Sequence, residues 1–356
     1  MKISIIILLL LAGIIMSSCD PNELVVPEEP KEEEPVDKIL FQGPTGNLYT
    51  VEINGNNQTR VFEKKEYQSI RFASLSPNGD KIVTTILSLK TNTSSTFILS
   101  LIDNTIREIE SEIIRIMNVV WSPDSKKILY SCRENGLWIA SKDGSSVKIG
   151  DGRVNRIIDG KSREVSNIYH FLNFFCNDKV LFSHADRYFY PDGRSKWISY
   201  GAYIMNDDGS NKRSVVYNTL IQNLILLSTN KIIYQPYISN SDFSDTYLLH
   251  LGTGTKLDLA VINKHVSFLI SCPKGKKIAY AFFRQEERPQ KYDIYIMNME
   301  NQISQLVKTT DNSLRNLQFS YCGKRIITST QEGIFAINVD GTGKMKIAEG
   351  WMFEKW

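Results

Sequence analysis

Histidine and cysteine are scarce in this chain of 356 residues, at four and five copies. His170, His184, His250 and His265 lie far apart, and neither they nor the cysteines fall at metal-ligand spacing, so no metal and no other cofactor is expected. No catalytic constellation is visible either. A long apolar run is also missing. The longest, SIIILLLLA near the start, is too short to cross a hydrocarbon core, which takes about 20 helical residues. No stretch beyond it keeps a 3.6-residue apolar period, which excludes a helical or two-domain α/β body. Charge is nearly balanced, with 42 basic against 39 acidic side chains, so a nucleic-acid footprint is absent.

What the N-terminus does contain is ordered. Lys2, the short apolar core, then Met16-Ser17-Ser18-Cys19 make a secretory leader rather than a membrane span. A cysteine directly after two serines resembles the bacterial lipobox. That resemblance implies cleavage after residue 18 and lipidation of Cys19. Residues 20–37 hold eight acids, one lysine and four prolines without apolar periodicity, as expected of an extended tether (19–37 with the lipidated Cys). The acidic run beside Cys19 is similar to the tag that carries some lipoproteins to the surface of Gram-negative cells. The expected location is therefore the outer membrane, facing the periplasm or the cell surface. The remaining body, 38–356, carries +9 and mildly favours anionic partners. Cys132, Cys176, Cys272 and Cys322 are even in number, which leaves disulfides open in an exported protein.

The body is built of repeats. A basic residue followed by a short apolar run returns as KILFQ at 38, KIVTT at 81, KILYS at 127, KVLFS at 179, KIIYQ at 231, KIAYA at 277 and RIITS at 325. Turn residues precede most copies, as in SPNGD at 76 and SPDSK at 122. A further strand and a Gly-containing hairpin turn follow, then a short fourth strand. Four antiparallel strands at a period of 43–52 residues describe a β-propeller blade. Seven such units predict an all-β, seven-bladed propeller, six blades being the alternative. The first unit lacks its first strand. The C-terminal WMFEKW at 351–356 is expected to supply it and close the ring.

SPDSKKILYS at 122–131, DIYIMNMENQ at 293–302 and YIMNDDGSNK at 203–212 resemble the TolB-type propeller repeat, over about residues 38–350. The resemblance implies the fold rather than a function.

The long connections fall on one face of such a ring: 87–95, 150–166, 184–199, 238–246 and 283–291. Long loops on a rigid scaffold are where binding residues gather. In 184–199, Asp186, Arg187, Tyr188, Tyr190, Arg194 and Trp197 combine aromatics with charge, suited to a glycan or peptide. Arg153 and Arg156 add a basic stretch in the neighbouring connection. The expected function is a membrane-anchored, monomeric, non-catalytic binding or scaffold protein for an envelope protein or glycan. The alternative is a propeller enzyme, a lyase or hydrolase, acting on acidic polysaccharide.

Overall fold

In four of the seven repeat units one turn chemistry starts the strand of the basic-apolar run. In SPNGDK and SPDSKK the serine hydroxyl accepts the backbone N–H of the basic residue five positions on: Ser76 from Lys81 at 2.9 Å, Ser122 from Lys127 at 2.8 Å. Ser320 does the same for Arg325 at 3.1 Å, and in the sixth unit Cys272 Sγ accepts from Lys277 at 3.2 Å. The side chain thus satisfies a backbone donor that the tight turn would leave bare. The strand that follows is apolar and buried on both faces, as in Lys81–Ser88 and Lys127–Cys132.

The computed structural model of the chain describes residues 37–109, 116–132, 135–176, 178–238, 245–259, 262, 266–284, 291–310 and 313–353, the side chains of Phe175 and Cys176 excepted. The expected leader, Cys19 and the tether up to residue 36 lie outside the described residues. Seven antiparallel sheets follow one another along the chain. Blade 1 (Lys38–Phe62) has three strands; blades 2 (Gln68–Glu108), 3 (Ile116–Gly150), 5 (Ile221–Asp258), 6 (Val266–Thr309) and 7 (Asn316–Ala348) have four; blade 4 (Arg153–Tyr217) has five. The chain is therefore a seven-bladed β-propeller. NDDGSN at 206–211, superficially like a calcium loop, is the hairpin turn between the outer strands of blade 4, with Gly209 N–H bonded to Asn206 O at 3.0 Å.

The core is a set of layers between blades. Ile128 and Tyr130 of blade 3 pack with Val83 and Ile98 of blade 2, and Val180 and Phe182 of blade 4 with Leu129 and Leu137 of blade 3. Four further clusters join blades 4 to 5, 5 to 6, 6 to 7 and 1 to 2. Between blades 7 and 1, Ile327 and Ile334 meet Ile39 and Phe41. Cys132, Cys272 and Cys322 are free thiols, and burial pushes the Cys132 thiol up to about 12.

The C-terminal segment meets blade 1 as a bridge rather than a strand: Gln42 and Trp351 exchange backbone hydrogen bonds at 2.9 and 3.0 Å. Residues 354–356 lie outside the described ones. Gly350 is needed for this approach, since a Cβ there would stand 2.2 Å from Gln42 O at a φ of +126°. Met352 packs in the layer between blades 7 and 1, and Phe353 against the layer between blades 1 and 2. An asparagine contact repeats around the ring. Asn118 Nδ2 donates to Tyr169 O and Asn223 Nδ2 to Val266 O, each on the next blade's inner strand, both at 3.4 Å. Asn316 Nδ2 of blade 7 donates to Phe353 O. Asp37 adds a tie from the other end, its carboxylate accepting from Tyr321 N at 2.7 Å. Met352→Ala is expected to cost about 2–4 kcal/mol through the cavity it leaves. Deleting 351–356 should lower the melting temperature further; thermal unfolding of the two variants beside the wild type measures both.

Candidate functional site

Two of the connections expected to be irregular loops are regular hairpins in blade 4. Arg153–Ile158 pairs antiparallel with the start of the inner strand Lys161–Cys176, with Ile158 opposite Lys161 across Asp159-Gly160. Asp159 and Gly160 have φ of +50° and +73°, the backbone a two-residue hairpin turn requires. The second connection continues Lys179–Phe189 and Ser195–Asn206, paired up to Phe189–Ser195. Its tip is closed by Tyr190 N–H to Arg194 O at 2.8 Å. The connection at 87–95 shortens likewise, since its strands run to Ser88 and resume at Thr93. Residues 239–244 and 285–290 of the other two lie outside the described ones.

The two blade 4 hairpins leave the same end of the sheet and stop pairing with each other beyond Ser166–Arg187. They pack instead through a small core of their own: Ile158, Val165 and Tyr188 are buried, with Val154, Tyr190 and Ile198 against them. A buried polar row separates this core from the blade 3–blade 4 layer. Asp186, with no solvent-accessible side-chain surface, takes Arg156 Nε from the other hairpin at 3.1 Å. His184 Nε2 stands 2.9 Å from the second carboxylate oxygen, but off the line of a good hydrogen bond. The imidazole is enclosed by Tyr169 and Tyr203, with ring centroids at 5.0 and 5.5 Å. Burial pushes the His184 pKa below its ordinary 6.5, so the ring is neutral at pH 7. Burial alone would raise the Asp186 carboxyl; contact with His184 and the Arg156 charge outweigh it and hold the group below its ordinary 3.8. A His–Asp pair is the material of acid–base chemistry. Here the two side chains are 3% and 0% exposed and lie on one strand, and it is Arg156 on Asp186 that joins the two hairpins.

This arrangement sorts the sequence candidates. Asp186 and Arg156 neutralise each other. Arg153 pairs with Glu164 at 2.9 Å. Arg194 pairs with Asp192 at 2.7 Å and lies over the Tyr190 ring, bracing the hairpin tip. Tyr190 OH reaches Asp159 at 3.3 Å, tying one tip to the other. Tyr188 is buried and offers no ring face to a ligand. Arg187 and Trp197 remain on the outer face as cross-strand partners. The Arg187 guanidinium lies 4.7 Å from the Trp197 ring and 4.8 Å from that of Phe189, two residues along the strand. Phe189, another aromatic of that connection, and Ser195, which the sequence did not single out, complete this group. Hydrophobic alternation could not have assigned the faces, since the buried positions of 184–189 are His184, Asp186 and Tyr188 and the exposed one is Phe189.

No family model matches the chain, and no curated protein matches it. Solved structures do. TolB from Acinetobacter baumannii superposes with a TM-score of 0.51 at 16% identity; the match covers 90% of this chain but only 65% of that one. An oligogalacturonate lyase from Vibrio parahaemolyticus gives 0.60 at 10% identity, over 89% and 85% of the two chains. The β-propeller domain of the Trilobed protease from Pyrococcus furiosus, described as having an open velcro topology, gives 0.58 at 13%, over 85% and 87%. These similarities establish the propeller fold alone.

Tyr188→Ala is expected to destabilise the protein by about 2–4 kcal/mol, and Trp197→Ala by no more than about 0.5 kcal/mol; denaturant unfolding separates them. Acid should weaken the fold through His184. Its folded pKa lies below the unfolded value of 6.5, so the unfolded chain takes up more protons and stability falls as pH drops below about 6.5. Asp186 adds a loss at still lower pH, as the medium passes through its depressed pKa. Melting curves from pH 7 to 5 should fall less steeply in His184→Gln, with His170, also shifted down by burial, keeping part of the slope.

Proposed function

We propose that this chain is a lipid-anchored protein of the Gram-negative cell envelope, anchored through Cys19 in the outer membrane. Its propeller binds a protein or glycan partner on the blade 4 hairpins without catalysing a reaction. The observation that carries the binding surface is the Arg187 group. Phe189 and Trp197 are 51% and 37% exposed, large apolar rings held in place beside a cation on a braced hairpin. Rigid aromatics with arginine are the side chains that dominate binding energy at interfaces. The positive body is in keeping with an anionic partner.

Two measurements test the proposal. Metabolic labelling with a fatty acid should mark the wild type and leave Cys19→Ser unmarked; equal labelling removes the anchor. A screen of the protein against glycans and envelope extracts should find a ligand whose retention drops at least about tenfold, or about 1.4 kcal/mol, in Trp197→Ala. Unchanged retention moves the site elsewhere. Turnover of an acidic polysaccharide, read as new chain ends, would favour the enzyme alternative.

A further inference from the structure

The two blade 4 hairpins carry five arginines, and three of them have an acid; the exposed Arg163, opposite Arg156, is not among those three. Arg153 has Glu164, Arg156 has Asp186 and Arg194 has Asp192. Arg187 has none among the described residues. Its Nε and Nη2 both donate to Ser195 Oγ, at 3.1 and 2.8 Å, a neutral partner that fixes the plane of the guanidinium without discharging it. Nη1 has no partner among the described residues, so Nη1 and the second Nη2 N–H can still donate. A planar guanidinium held by stacking and by one edge has lost its conformational freedom before any ligand arrives, which favours bidentate capture of a carboxylate.

We infer that Arg187 anchors the carboxylate of a uronic-acid-bearing glycan, an assignment that rests on the hairpin face being a binding surface. The charge alone would accept any carboxylate. The flanking rings narrow the choice. A uronic acid presents an apolar C–H face and a carboxylate within one sugar ring, which matches the exposed Phe189 and Trp197 rings beside the guanidinium. An acidic peptide side chain would use the fork and leave the flat rings idle. A neutral sugar would use the rings and leave the cation unmet. The net charge of +9 on residues 38–356 draws a polyanion of this kind toward the body.

The test is calorimetric titration of the detergent-solubilised full chain with short oligogalacturonates, their methyl esters of equal length, an acidic peptide and inorganic phosphate. The acid form should bind at least about tenfold more tightly than the ester. Arg187→Lys, which keeps the charge but loses the fork, should remove most of that preference without changing the melting temperature. Equal affinity for acid and ester, an unaffected Arg187→Lys, or preference for the peptide or phosphate overturns the assignment. If Arg187→Lys loses binding together with a fall in melting temperature, Ser195→Ala decides: it frees the guanidinium plane without touching the charge, and an unchanged preference for the acid form overturns the assignment. If no glycan binds while Trp197→Ala abolishes retention of some other ligand, the uronate falls and the binding surface stands. If neither variant affects any ligand, both fall.

Discussion

The second strand of each blade is covered on both faces, and the rest of the molecule depends on that two-sided burial. Ile82, Ile128, Leu181, Ile232, Ile278 and Ile326 all have essentially no exposed surface. Burying an aliphatic side chain contributes about 1.5–3 kcal/mol, but no single blade can collect it. A four-stranded sheet has two apolar faces and needs a neighbour on each, so blades are stable only in a ring. That is why the layers run without interruption from blade to blade, and why blade 1, with three strands, is served by Met352 and Phe353 at its two interfaces.

Blade 4 departs from this economy. Its hairpins extend past the reach of blades 3 and 5, so they carry their own apolar cluster around Tyr188. They also bury Asp186, whose charge would be costly without Arg156. A buried ion pair adds little net stability by itself, yet it has a single good geometry. Together with the Tyr190–Asp159 contact, it sets one hairpin against the other. Rigidity at the base is what allows the outer face to hold Arg187, Phe189 and Trp197 in fixed relation.

Much of the fold was legible in the residues because a propeller repeats its local chemistry. The basic residue and the buried strand behind it recur seven times, most copies with a turn before them, so blade count and strand order follow from periodicity. The site was less legible. Arg153, Arg156, Asp186, Tyr188, Arg194 and Trp197 look alike in a linear reading, charged and aromatic residues in long connections. IIDGKS at 157–162 did carry a local hairpin signal, masked by a segment longer than the usual connection, whereas 184–189 buries His184 and Asp186 and exposes Phe189, a facing that no hydrophobic pattern gives.

By itself, then, the sequence determined the seven-fold repeat and the all-β class, since each rests on local periodicity or turn preference. Only the tertiary structure decided which charges are neutralised. Arg156 meets Asp186 across 30 residues and Arg153 meets Glu164 across a hairpin, whereas Arg187 meets two rings and a hydroxyl. Ion pairing depends on side-chain distances of a few ångströms between segments that the chain brings together only on folding, and no one-dimensional pattern encodes them.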